Sequence, residues 1–146
     1  MDTEINNGLK AFLVLGVYFL IVEALGVEHS TYLRILNVFI VGYFVNNSIS
    51  KRMKEGRNFI GLFASAFVTN LIAVMLSTIA LAGYIFFFQG VEHINSLAQP
   101  LLAIGYFNLS VSQFAFAIFA EGFAAGIILS FGLMQYWKNK MEGSAV

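Results

Sequence analysis

Cysteine is absent from the 146 residues, which removes disulfides, thiolate metal sites and cysteine nucleophiles together. Charge is scarce: eight basic and eight acidic side chains amount to 11% of the chain, and their balance is neutral. No basic stretch occurs outside one short loop, so nothing in the sequence calls for nucleic acid. Histidine occurs twice, at His29 and His93, neither inside an apolar run. That excludes a haem held between two histidines inside a helix bundle. There is no His-x-x-x-His pair and no glycine-rich phosphate cradle ahead of a helix. No polar region is large enough for a separate active site, and these absences argue against an enzyme.

What remains is apolar. Hydrophobic residues make up 59% and aromatics 16%, far above a soluble domain of this size. A water-soluble fold would lack the polar surface to cover several uninterrupted apolar runs, so the composition predicts an all-α integral membrane protein of one domain. The amino end, MDTEINNGLK, is acidic and the run after it has no clear small-residue cleavage site; a retained first span is expected.

Four spans are expected. Residues 9–27 supply roughly 28 Å of helix, enough for one crossing. A polar turn (Glu28, His29, Ser30, Thr31) leads into a second span at about 32–49, so the first two form a hairpin. The loop SKRMKEGR then carries Lys51, Arg52, Lys54 and Arg57, the strongest orientation signal in the chain, and points to the cytoplasm. Residues 58–88 run apolar for roughly 46 Å, more than the ~30 Å hydrocarbon core, so tilt or protrusion is expected. Pro100 suits the first turn of a helix. The 37 apolar residues after it exceed one crossing, which predicts an interfacial segment at about 101–108 before a last span at about 109–137. Tyr136 and Trp137, followed by Lys138 and Lys140, form an interfacial anchor. With Lys10 also inside, seven of eight basic residues share one side, and a four-helix bundle with both termini cytoplasmic satisfies the count.

The polar residues inside these spans are the candidate site. Glu121 stands in a long apolar run, and a charge at the bilayer centre costs about 2.5–3.5 kcal/mol on insertion scales. Asn70, Thr69 and Tyr18 are polar at similar depth, and they are expected to neighbour it as a structural pin or a proton or cation site. Glu23 and Arg34 lie equally far from the first turn and are expected to pair. Gly61, Ser65, Thr69, Ala73 and Ser77 recur every fourth residue, and Gly122, Gly126 and Ser130 repeat the pattern on the last span. Such ladders let helix backbones approach closely, so spans three and four are expected to pack through them. The tetrapeptide GVEH occurs twice, which makes Glu28, His29, Glu92 and His93 weak candidates for a divalent metal. Adjacent Glu and His share no helical face, and no cofactor is expected.

The segments LRILN (Leu33–Asn37) and EGFAAGIILSFGLMQYWK (Glu121–Lys138) give the chain its resemblance to a family of small four-span bacterial membrane proteins known only as a domain of unknown function. That resemblance implies an inner-membrane four-helix protein and supplies no catalytic residues. Surplus packing faces and nearly bare loops predict an accessory or scaffold subunit of a membrane complex, or a homo-oligomer, its partners being lipid and other subunits or itself. The rival expectation is a proton- or cation-translocating protein that uses Glu121.

Overall fold

The computed structural model describes residues 1–27, 30–90, 92, 94 and 109–143. Among them are four long helices, α1 (Asp2–Ala24), α2 (Thr31–Lys54), α3 (Phe59–Tyr84) and α4 (Val111–Gly143); a π-helical turn, Ile85–Gln89, prolongs α3. Three are long and apolar enough to cross a membrane: α1, α3 with its π turn, and α4. The expected interfacial segment at 101–108, with Pro100, lies outside the described residues.

Each helix boundary has a local cause. α1 and α2 both stop at a glycine with positive φ, Gly26 at 69° and Gly56 at 76°. The following residues, Val27 and Arg57, donate back to the Val22 and Arg52 carbonyls at 3.2 Å, which closes a Schellman motif at each end. α3 begins at Asn58, whose side chain accepts from the Gly61 amide at 3.0 Å. α4 begins with a capping box written SVSQ: the Ser110 amide donates to Gln113 Oε1 at 3.0 Å and the Gln113 amide to Ser110 Oγ at 3.3 Å.

Two boundaries depart from expectation. α1 starts at Asp2, not Leu9, because Glu4 and Asn7 have partners on α2 and α3 and so belong to the helix rather than to a solvated tail. α4 runs on to Gly143 instead of ending at Trp137; Lys140 lies over both the Tyr136 and Trp137 rings, 4.9 and 5.0 Å from their centroids, and covers the last apolar surface.

α3 touches all three other helices, and α2 touches α1 and α4 as well. The cross-links give the directions: Asn7 meets Ser48, Glu23 meets Tyr84, Arg34 meets Glu121 and Trp137 meets Asn46. α1 and α3 therefore run one way and α2 and α4 the other. One end of the assembly gathers Glu4, Arg52, Ser65 and Trp137; the other gathers Glu23, Arg34, Tyr84 and Glu121.

Each end has its own apolar cluster. At the first, Val41, Val45, Ile49, Leu62, Ala66, Met134 and Trp137 are buried together; at the second, Ile85, Ile94, Leu109 and Phe114. The outward flanks are also apolar, with Leu13, Val17, Phe39, Ile79, Phe86 and Ile128 all largely exposed. An apolar surface on every side is the mark of a protein whose solvent is lipid.

Candidate functional site

The interior polar groups fall into four separate places. The first joins α1, α2 and α3 at the basic end. Arg52 grips the Glu4 carboxylate with two parallel hydrogen bonds, Nε to Oε1 at 2.6 Å and a terminal nitrogen to Oε2 at 2.7 Å; Ser65 Oγ donates to Oε1 at 2.6 Å. Glu4 is buried, at 6% exposure, and Arg52 half-buried, at 14%; the amino-terminal ammonium adds a third partner 3.0 Å from Glu4 Oε2. A fork-to-carboxylate geometry with an added hydroxyl answers most of what burial takes from these ions. The free arm of Arg52 donates to Glu55 at 2.7 Å, and this hydrogen bond holds the exposed Glu55 carboxyl below its ordinary range. One turn further in, Asn7 donates to Ser48 Oγ at 2.9 Å, and the Thr69 hydroxyl lies 2.8 Å from both Ser48 Oγ and the Ser65 carbonyl.

The second place is the flank between α2 and α4, where Arg34 forms a salt bridge with Glu121. Arg34 is 20% exposed and Glu121 55%. Glu121 is thus neither sheltered by close-fitting helices nor next to Asn70. It lies five residues before Gly126, the residue Asn70 covers, and about 140° away around the helix.

Glu23 occupies the third place. It takes hydrogen bonds from the Tyr84 hydroxyl at 2.8 Å and from Gln89 at 2.9 Å, and Gln89 also donates to Tyr84 at 3.0 Å. The expected Glu23–Arg34 pair is therefore replaced: Glu23 faces α3, while Arg34 reaches across to α4. Counting depth across a hairpin gave the right height for Arg34 but not its direction.

The fourth place is a cavity of about 370 Å³ between the two apolar clusters, walled by residues of all four helices. Asn70 lines it from α3 and is 1% exposed. Among the described residues neither polar atom of its amide, nor the hydroxyl of Ser77, has a hydrogen-bond partner. Asn37 lines the cavity from α2. Tyr18, expected near Glu121, instead donates to the Leu33 carbonyl at 2.8 Å and ties α1 to α2.

The small-residue ladders divide as well. On α4, Gly126 lies under Asn70, where a Cβ would come within 2.0 Å of the amide nitrogen; Gly122 lies under Val74, 3.1 Å from such a Cβ. Close approach of α3 and α4 at these glycines matches the expected role. Ser130 donates to the Gly126 carbonyl at 2.7 Å within its own helix. On α3, however, Ser65 and Thr69 bind groups on α1 and α2, and a Cβ on Gly61 would meet its own cap residue Asn58 at 3.1 Å. Ala73 is buried, and Ser77 lines the cavity. The ladder on α3 thus mostly receives the hairpin of α1 and α2, while larger α3 side chains fill the α4 glycines.

Of the loop cations, Arg52 is a structural partner, whereas Lys51, Lys54 and Arg57 are exposed. Glu28, His29 and His93 lie outside the described residues; Glu92 is exposed, and among the described residues no three potential ligands come together around a metal site.

Sequence reasoning missed the Glu4–Arg52 network. The signal was present: Glu4, Asn7, Gly8 and Ala11 follow the i, i+3, i+4, i+7 spacing of one helical face. No protein-family model, curated protein or solved structure matches this chain.

Proposed function

We propose that this chain is a four-span protein of the cytoplasmic membrane, with both ends on the cytoplasmic side, which serves as a subunit of a larger membrane assembly built with other chains or with copies of itself. α2, the least hydrophobic of the four helices, is comparable in length to α1 and α3, at 24 residues. Four of its polar side chains are answered from within: Arg34 by Glu121, Asn46 by Trp137, Ser48 by Asn7, Arg52 by Glu4. That matching supports a crossing by α2 despite its lower hydropathy. The positive-inside rule, applied to the loop at Lys51–Arg57 and to Lys138 and Lys140, supports the orientation.

One observation carries the assembly reading. The Arg34–Glu121 pair sits on an outward flank within the apolar length of α4, with more than half of the carboxylate side chain uncovered. Against hydrocarbon an ion pair so placed is costly, and a neighbouring protein surface that donates hydrogen bonds removes the cost. Beside Glu121 the same face presents Ala120 and Ala124, both exposed and small enough for a second helix to come close. The proton-carrier reading gains nothing from this geometry, since the carboxylate is engaged by Arg34 and stands apart from Asn70, Thr69 and Tyr18.

The test is the mass of the purified protein in lipid nanodiscs. An assembly larger than one 16.1 kDa chain, or a stoichiometric companion, is expected, and Glu121→Gln should shift it to smaller species with helical content unchanged. A monodisperse single chain with no companion would count against the reading. Because the chain has no cysteine, Lys54→Cys provides a background-free topology probe, expected to react only from the cytoplasmic side.

A further inference from the structure

The open ion pair on the flank of α2 and α4 specifies its partner by the groups it leaves unspent. Arg34 gives Glu121 a single terminal nitrogen, on Oε2; among the described residues its Nε and other terminal nitrogen have no partner, and neither has Glu121 Oε1. Arg52, by contrast, spends all its nitrogens, two on Glu4 and one on Glu55. What is left over at the flank is a set of guanidinium N–H donors and a carboxylate acceptor, so a second copy of the same pair supplies both. A partner bringing a lone charge would answer one half of the pair and take away the balance of the other. With Glu121 55% and Arg34 20% exposed, both halves can be reached from the membrane side.

The face of α4 beside the pair is self-matching too. Glu121, Ala124, Ile128, Phe131 and Gln135 alternate three and four residues apart and all are exposed, which is the spacing of a coiled-coil seam turned away from the other three helices. Gln135, about 21 Å further along, is the other polar side chain on the stripe. A carboxamide both donates and accepts, so it pairs with its own copy. Copies inserted in the same sense are related by an axis along the membrane normal, which holds equal residues at equal depth. A two-fold axis beside Ala124 also exchanges left and right, so α2 of one copy lies against α4 of the other and each cation meets the opposite anion. Head-to-tail packing would need a second charged patch at this height. On the four long helices the other charged group at this end is Glu23, already held by Tyr84 and Gln89.

Resting on the assembly reading, we infer that the partner is a second copy of this chain, joined about that two-fold axis, with each Arg34 donating to the partner's Glu121 and Gln135 paired with the partner's Gln135. Four alternating charges then close into a ring at one depth, in which each carboxylate accepts from two guanidinium groups and the net charge is zero. Along the seam α4 meets α4, and Ala124 lets the two backbones come close.

The experiment uses the full chain in its cysteine-free background, in membranes of the expressing cell and in nanodiscs. Under a mild oxidant Ala124→Cys should join chain to chain in one adduct of twice the chain mass, containing both tags when two differently tagged copies are mixed; Leu13→Cys, on the outward flank of α1, should not. Charge swaps then test the pairing itself. Arg34→Glu places carboxylates at both positions and Glu121→Arg places guanidinium groups at both, so each alone should lose self-association at least tenfold. Co-expressed, the two should recover it as a mixed pair, because every carboxylate then faces a guanidinium. Should either swap fail to fold alone, Gln135→Cys keeps the wild-type charges and should also cross-link to itself. An assembly in which Ala124→Cys joins only a different protein, or in which each swap associates as well alone as in the mixture, would overturn this inference and leave the assembly reading in place. A single chain at every protein-to-lipid ratio, with no companion, would overturn both.

Discussion

The two interhelical ion pairs join the same chemical groups and differ in what surrounds them. At the basic end Glu4 is buried and Arg52 half-buried, geometrically matched, with Ser65 and the amino-terminal ammonium filling the carboxylate's remaining lone pairs. Arg34 and Glu121 lie on a flank with the carboxylate half open. A buried pair fully answered by its own chain acts as an internal clasp, whereas a pair left open within an apolar helix calls for something outside the chain. The first pair should therefore govern folding and the second association.

Breaking the clasp should have the largest effect. Arg52→Ala leaves the Glu4 carboxylate with only Ser65 and the amino-terminal ammonium, 3.0 Å away, and a loss of about 2–4 kcal/mol is expected in reversible unfolding from mixed micelles. A loss below about 1 kcal/mol would mean that the pair is solvated in the membrane-embedded protein.

Two glycines of α4 sharpen the contrast between inside and outside. Gly126→Ala drives a methyl into the Asn70 amide and should cost about 1–3 kcal/mol in the same assay. At Gly132 a methyl meets nothing within 4 Å, so Gly132→Ala should leave the isolated chain within about 0.5 kcal/mol of wild type or slightly stabilise its helix. Equal costs at the two positions would show that α4 is rotated from the orientation described.

Glu121→Gln keeps an oxygen that can accept from Arg34, so unfolding should stay within about 1 kcal/mol of wild type while association weakens at least tenfold. Dilution in nanodiscs or micelles, read by mass, checks this; a variant that unfolds easily but assembles normally would reverse the assignment of the two pairs. Trp137→Phe, which removes the 2.8 Å hydrogen bond to Asn46 and keeps most of the ring packing, should cost about 1 kcal/mol in unfolding.

The sequence made the helices legible because apolar length and loop polarity are local properties. The small-residue contact of Gly122 and Gly126 followed from spacing. The SVSQ cap of α4 was equally local and marks its start two residues later than the apolar run suggested. The choice of partner was harder to read. Glu23 could be matched to Arg34 by depth, but which way each side chain faces depends on the rotation of whole helices, and α3 and α4 were better placed to meet them. The start of α1 was misplaced because polar residues at a chain end resemble a tail until their partners, sixty residues away for Ser65, are known. The cavity had no sequence signature at all, being the volume left over after two separate clusters have packed. Asn70 was conspicuous as a mid-span amide, but the absence of a partner appears only in three dimensions.

The claim that the open flank of α4 meets another protein is tested most directly by photocrosslinking in native membranes. With benzoylphenylalanine in place of Ala124, beside Glu121, a protein adduct of one discrete mass is expected, while the same group at Leu13 on α1 should capture only lipid. Lipid adducts alone at both positions would contradict the account.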